Sequence, residues 1–87
     1  MVFRYHRVFE KQFAKLPEKS RLAVRNALAL FAETPRSSTL RCHRLSGEFS
    51  GLTSISAGGD LRIHLKELPG GIVVVVMAVG SHSQLYG

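Results

Sequence analysis

The sequence predicts a single α+β domain in which an N-terminal strand and a helical hairpin pack on a small, mainly antiparallel sheet of four to five strands. Apolar residues recur with helical spacing before residue 35, and after residue 40 the chain breaks into short β segments divided by turn residues. The chain has 87 residues, and 45% of them are hydrophobic. That content suits one hydrophobic core, and the chain is too short to form two. We therefore treat residues 1–87 as one domain.

The N-terminal third predicts one strand and two helices. Residues 2–8 are rich in aromatic and β-branched side chains, as strands are. Phe9, Phe13 and Leu16 recur at i, i+4 and i+7 and so define the apolar face of a first helix. Pro17 ends that helix and suits the first position of a second one. The second helix has a predicted buried stripe of Val24, Ala27, Leu28 and Phe31.

The rest of the chain predicts the sheet. In residues 60–66 apolar residues alternate with Arg62, His64 and Lys66, so this strand has one core face and one polar face. The apolar run over residues 72–79 predicts an interior strand covered on both faces. After it we expect only a short polar tail. Two further strands are predicted at residues 40–45 and 52–56.

Composition narrows the classes of partner and location. Twelve Lys and Arg against six Asp and Glu give a net charge of +6, which favours a polyanionic partner, either nucleic acid or an acidic protein segment. Cys42 is the only cysteine and cannot form an internal disulfide, and no Cys/His spacing predicts zinc, so we expect no metal or other cofactor. The longest apolar run is too short for a membrane span and no signal peptide is evident, so we expect a cytoplasmic protein.

Four stretches, taken together and in this order, resemble the RelE/ParE toxin superfamily and, within it, the YafQ-like RNases. The resemblance covers nearly the whole chain. It implies a RelE-like fold and the toxin of a type II toxin-antitoxin system. The implied activity is ribosome-dependent cleavage of mRNA at the A site, which inhibits translation and is held in check by a cognate antitoxin in a hetero-oligomer. The four stretches are residues 13–17 (Phe-Ala-Lys-Leu-Pro), 43–47 (His-Arg-Leu-Ser-Gly), 59–63 (Gly-Asp-Leu-Arg-Ile) and 79–86 (Val-Gly-Ser-His-Ser-Gln-Leu-Tyr).

The resemblance also implies a set of catalytic residues. Arg62 falls where RelE-like relatives place a catalytic arginine, whereas Ser56 stands where similar toxins carry a further histidine. Serine cannot shuttle a proton near neutral pH, so this departure puts rate and substrate choice in question. The remaining matches to the YafQ-like pattern are His43, Asp60, His82 and Tyr86.

Metal-free RNA cleavage needs a base for the ribose 2′-OH and an acid for the departing 5′ oxygen. Histidine suits both tasks because its pKa, about 6.5, lets either form exist near neutral pH. Our hypothesis assigns His82 as the acid and either His43 or Asp60 as the base. Arg62 would stabilise the negative phosphate in the transition state, and Tyr86 would donate a hydrogen bond or stack on a base.

Other polar residues are candidates for binding RNA. His64 shares the predicted polar face of Arg62 and could replace the absent histidine, although most residues at such positions simply face solvent. Asp60 has a similar alternative as a turn former after two glycines. The predicted RNA-binding residues are Arg41, Arg44, His64 and Lys66.

Two alternatives remain open on the same fold. One is a ParE-like toxin that inhibits DNA gyrase without catalysis and needs no histidine at position 82. The other is a catalytically degenerate toxin that only binds its antitoxin. The reason to consider it is Ser56, which stands where similar toxins carry a histidine. In each case the partner is expected to be an acidic or amphipathic segment. The nuclease hypothesis requires that His82 converge with His43, Asp60 and Arg62 in one positively charged concavity.

Overall fold

A five-stranded mixed sheet carries a pair of helices on one face and a short C-terminal helix on the other. The computed structural model describes residues 1–87. Single 3-10 turns lie at Ser38–Leu40 and Gly47–Phe49. The elements are β1 (Val2–Tyr5), α1 (Arg7–Ala14), α2 (Glu18–Glu33), β2 (His43–Arg44), β3 (Thr53–Ser56), β4 (Leu61–Glu67), β5 (Val73–Ser81) and α3 (His82–Tyr86).

The strand order across the sheet is β1-β5-β4-β3-β2. The strands β2 to β5 pair antiparallel with their neighbours, as consecutive strands joined by tight turns do. Only β1 runs parallel to its neighbour, β5, and it closes one edge of the sheet. The predicted α+β class, with a helical hairpin on a mainly antiparallel sheet, is confirmed.

The core lies between the helical pair and the inner face of the sheet. The predicted stripe of α2 is buried along its whole length, and Phe31 is only 1% exposed. Burial of one such side chain stabilises the fold by about 1.5–3 kcal/mol. No helix has both the length and the hydrophobicity that crossing a membrane would require. The twelve core residues are Phe9, Val24, Ala27, Leu28, Phe31, Leu40, Ile55, Ile63, Leu65, Val74, Val76 and Val79.

The helix boundaries differ from the predicted ones at three points. The first strand ends at Tyr5, because the His6 ring caps α1 by accepting a 3.0 Å hydrogen bond at Nδ1 from the backbone N–H of Val8. Helix α1 ends at Ala14, so Leu16 packs against the core from outside the helix. Pro17 is the N-cap of α2 rather than its first residue, since its ψ of 154° is extended.

The sheet also departs from prediction in two strands. The segment over residues 40–45 is mostly irregular, because Leu40 ends a 3-10 turn and Arg41 has a left-handed φ of 47°, which leaves only two residues in β2. In β5 one face is buried, whereas Val73 and Val75 on the other face are half-buried, so the second face is covered only in part.

The prediction of an unstructured polar tail is wrong, because residues 82–86 form the helix α3. A reciprocal capping box starts it. The Ser81 hydroxyl accepts from the backbone N–H of Gln84, and the Gln84 side chain accepts from the backbone N–H of Ser81 at 2.8 Å. An isolated helix this short is unstable in water, so its cap and its packing on β5 must hold it.

Candidate active site on the open face of the sheet

The candidate site lies on the sheet face opposite the helical pair. His43 pairs with Ser54, Ser54 with His64, and His64 with Ala78, so these four residues form one row across β2, β3, β4 and β5. Side chains of residues in one row point to the same face. His43 and His64 are 21 positions apart in the chain, yet both lie on this open face, with Ser54 of β3 between them.

The next row of this face carries Arg62. It pairs with Ser56 on one side and Gly80 on the other. The Arg62 guanidinium donates to Ser56 Oγ at 3.2 Å and to the backbone carbonyl oxygen of Gly59 at 2.8 Å. Arg62 is half-buried, and its guanidinium is held against the β3–β4 turn.

Asp60 and His82 approach each other through strand pairing. Leu61 pairs with Ser81, so the turn that ends at Asp60 lies beside the residue that caps α3. His82 is the first residue of that helix. Both Asp60 and His82 are exposed, which leaves them accessible to a ligand on this face.

Gly80 allows α3 to lie against the sheet. A Cβ atom at this position would be 3.0 Å from Gln84 Oε1 and 3.2 Å from Gln84 Cβ, closer than ordinary van der Waals contact. Gln84 is the residue whose side chain completes the capping box. The absence of a side chain at Gly80 therefore sets how closely His82 and Tyr86 approach β4.

Four rings form a cluster where α3 meets the sheet, and we call it the aromatic cluster: Phe49, His64, His82 and Tyr86. Tyr86 is its centre, with ring centroids 4.7 Å from His82, 5.0 Å from Phe49 and 5.2 Å from His64. Phe49 also meets His64 edge to face at 5.7 Å. The edge-to-face pair of Phe49 and Tyr86 contributes about 0.5–1.5 kcal/mol beyond the area that it buries.

His64 lies deepest in the aromatic cluster. It occupies the predicted polar face of β4, yet it is only 2% exposed, so the interpretation of His64 as a solvent-facing residue is wrong. Its Nε2 shares a 2.7 Å hydrogen bond with the Tyr86 hydroxyl. Burial lowers the pKa of His64, and the positive charge of nearby His43 lowers it further. His64 is therefore neutral near pH 7.

A hydrogen bond orients the ring of His43. Its Nδ1 lies 2.8 Å from the backbone carbonyl oxygen of Arg41. A carbonyl oxygen only accepts, so Nδ1 donates, and in the neutral ring the free lone pair is on Nε2. The left-handed backbone of Arg41 directs this carbonyl toward the histidine two residues later.

Comparison with solved structures identifies the fold. YafQ from E. coli superposes with a TM-score of 0.80 at 19% identity, covering 98% of this chain and 97% of that one. A YoeB/ParE toxin from Agrobacterium tumefaciens gives 0.79 at 13% identity, covering 94% and 99%. The E. coli DinJ-YafQ toxin-antitoxin complex gives 0.77 at 20% identity, covering 98% and 96%. This is the RelE/YafQ-like toxin fold. No family model and no curated protein matches the chain.

The RelE/YafQ-like fold brings most of the predicted site residues to one face. His43, Arg62 and His82 all lie on or beside the open face, and Tyr86 packs between His64 and His82. Asp60 lies in the adjoining turn. These residues thus lie on or beside one sheet face, and their catalytic roles stay a prediction.

The predicted RNA-binding residues divide between the two faces. Lys66 is exposed and shares the face of Arg62, four positions further along β4. Arg44 pairs with Thr53, which pairs with the core residue Leu65, so its register places it on the face opposite His43. Arg41 is exposed in the loop before β2.

Phe49 belongs to the site although sequence reasoning did not select it. It lies in a 3-10 turn between β2 and β3 and forms one wall of the aromatic cluster. Its only signal in the sequence is a large apolar residue in a segment bounded by glycine and serine. That signal does not reveal which surface of a RelE/YafQ-like fold such a residue covers.

Proposed function

We propose that this chain is the toxin of a type II toxin-antitoxin system and inhibits translation as a ribosome-dependent mRNA endoribonuclease. The observation that carries the proposal is that two exposed histidines border one sheet face that also bears Arg62: His43 lies in the row of His64, and His82 packs on Tyr86, which bonds His64. An acid, a base and a fixed cation are the groups that metal-free RNA cleavage requires.

In the proposed reaction His43 is the general base. Its Nε2 lone pair faces away from the Arg41 carbonyl and takes the proton of the ribose 2′-OH. The 2′ oxygen then attacks the adjacent phosphorus and forms a 2′,3′-cyclic phosphate while the bond to the 5′ oxygen breaks. Asp60, in the adjoining turn, is the alternative base.

His82 is the proposed general acid and protonates the departing 5′ oxygen. Its exposure at the start of α3 leaves the ring open to substrate on one side, while Tyr86 supports the other side at 4.7 Å. Arg62 stabilises the charge that builds on the phosphate. Tyr86 donates a hydrogen bond to the phosphate or stacks on a base.

The net charge of +6 supports RNA as the ligand of this face. Arg41 and Lys66 are exposed and are the proposed contacts to RNA phosphates, whereas Arg44 lies on the opposite face and is not a contact on this one. The burial of His64 argues against direct contact between that residue and RNA.

Single-turnover cleavage of mRNA on programmed ribosomes tests the acid and the base. His82→Ala and His43→Ala are each expected to lower the cleavage rate by about 10² to 10⁴, the usual contribution of a placed acid or base. Lys19→Ala, which changes an exposed residue of α2 on the other side of the sheet, is the matched control and should cleave normally. Normal cleavage by His82→Ala would remove that residue from the mechanism.

We also propose an antitoxin partner with an acidic or amphipathic segment. The support is a groove of about 380 Å³ between α1 and α2, lined by Phe9, Phe13 and Leu28 and flanked by Arg25. Tyr5, at its rim, is 50% exposed. An affinity that falls as salt is added is expected if charge complementarity contributes, and salt-independent binding would contradict it.

Gyrase inhibition is a second candidate, favoured by the structural similarity to the YoeB/ParE toxin. A third is an inactive toxin, favoured by Ser56, whose hydroxyl only bonds Arg62 and the Gly58 backbone. Expression in bacteria with primer extension on cellular mRNA separates the three. The nuclease produces new 5′ ends, the gyrase inhibitor produces DNA damage with intact mRNA, and the inactive toxin produces neither.

A further inference from the structure

His64 is a buried polar residue for which the proposed reaction has no use. It is 2% exposed and lies between Ser54 of β3 and Ala78 of β5 in the row that it shares with His43. An imidazole in such a place costs free energy unless its polar atoms find partners, and an apolar side chain would fit a half-covered sheet face better. A buried imidazole of this kind therefore needs a hydrogen-bond partner.

The partner is the hydroxyl of Tyr86. The 2.7 Å distance from His64 Nε2 to this oxygen is short for a hydrogen bond between neutral groups, and it joins residues 22 positions apart in the chain. Because burial keeps the His64 ring neutral, the bond connects two uncharged groups and persists at neutral pH. The only other hydrogen bond between a side chain of α3 and a side chain of a strand joins the hydroxyls of Ser83 and Ser81 at the start of the helix, at 3.3 Å. The His64–Tyr86 bond is therefore the one that ties the far end of α3 to the sheet.

This bond restrains the ring on which His82 packs. Tyr86 is near the end of a helix of five residues, where the backbone alone gives little rigidity. Phe49, from the turn between β2 and β3, and His64, from β4, both contact its ring, and the ring centroid of His82 lies 4.7 Å away. Stacking allows a ring to slide or tilt, whereas a hydrogen bond at the phenol oxygen fixes its far end.

We infer that His64 is a positioning residue: its hydrogen bond to the Tyr86 hydroxyl holds α3 against the sheet and thereby places Tyr86 and His82 for reaction. This rests on the proposed nuclease function for its effect on rate, but the restraint on Tyr86 is a property of the fold itself. His64 acts through Tyr86 and does not touch the substrate.

A double-mutant cycle tests whether His64 acts through that hydroxyl. His64→Leu and Tyr86→Phe are each expected to lower single-turnover cleavage about tenfold, the order of magnitude of one net hydrogen bond. The double variant should be no slower than the slower single variant, because the second change removes nothing further. A role for His64 in packing alone predicts multiplied losses in the double variant, and that result would overturn the inference.

His64→Gln provides a rescue and guards against misfolding of the leucine variant. The glutamine amide can reach the place of Nε2 and bond the phenol, so the variant should recover most of the rate that His64→Leu loses. Equal losses in the two variants would show that the hydrogen bond is irrelevant.

Near-ultraviolet circular dichroism gives a readout that needs no cleavage. The chain has two tyrosines and no tryptophan, so in a Tyr5→Phe background the tyrosine band reports Tyr86 alone. The band should persist in His64→Gln and weaken in His64→Leu. Ile63→Val, a change at a fully buried neighbour on the core face, is the matched control and should keep the band.

The two readouts separate the inference from the proposed function. A His64-dependent tyrosine band in a protein that cleaves no mRNA would support the positioning role and contradict the nuclease. Cleavage together with an unchanged band in His64→Leu would overturn the positioning role and leave the nuclease in place.

Discussion

At the scale of single residues, hydrogen bonds to the backbone prepare side chains for their proposed tasks. The Arg41 carbonyl selects the ring nitrogen at which His43 can accept a proton. The Gly59 carbonyl and the Ser56 hydroxyl hold the Arg62 guanidinium at the end of the turn. A cation fixed before the reaction stabilises a developing charge without reorganising during it.

Arg62→Gln is therefore expected to lower single-turnover mRNA cleavage by about 10² to 10³, the usual cost of losing one placed stabilising group. The variant keeps a polar group near the turn, so the protein should remain folded by circular dichroism. Arg36→Gln removes the same charge from an exposed loop position and should cleave at the parent rate. Equal rates for the two variants would show that only net charge matters.

At the scale of elements, α3 links the end of β5 to the candidate site. Its position depends on the capping box between Ser81 and Gln84 and on the missing side chain of Gly80. The helix contributes His82 and Tyr86, so a small displacement moves two proposed functional groups at once. A misplacement of about 1 Å can lower a rate about a hundredfold.

Gly80→Ala is expected to displace α3, because the new methyl group would meet Gln84 at 3.0–3.2 Å. Cleavage should fall between about tenfold and a hundredfold. NMR contacts between the Tyr86 and His64 rings should weaken in parallel. Lys19→Ala, an exposed change in α2 on the other side of the sheet, should alter neither measurement. Full activity in Gly80→Ala would mean that α3 tolerates the shift.

At the scale of the whole molecule, burial of His64 couples folding to pH. Burial lowers the pKa of His64 in the folded protein, so between the folded and unfolded values the unfolded chain binds more protons. The contribution of His64 to stability is fully present above about pH 6.5, its unfolded pKa. It is lost as pH falls through the lower folded value.

Urea unfolding followed at several pH values should therefore show a midpoint that falls as the solution is acidified below about pH 6.5. His64→Gln cannot titrate, so its midpoint should fall less over the same range. The difference between the two proteins isolates His64 from the carboxylates and the other histidines. Parallel curves would show that His64 titrates alike in both states.

The sequence predicted most of the helices and strands but few of the contacts between them. The stripe of α2 and the alternation in β4 follow from local periodicity, which depends only on which side of one element a residue occupies. The boundaries near His6 and Arg41 depend on individual caps and a left-handed backbone, which periodicity does not encode. The tail over residues 82–86 is too short for helical spacing to be visible.

The sequence by itself determined the α+β class and the core stripe of α2, and it supplied the candidate site residues, whose roles stay a prediction. Tertiary structure alone decided that His64 is buried beneath Phe49 and Tyr86 and that Arg44 lies on the face opposite His43. The physical reason is that burial of a polar strand face depends on what packs over it from distant parts of the chain. Strand alternation gives the direction of a side chain, and only the neighbouring elements determine whether that direction leads to solvent.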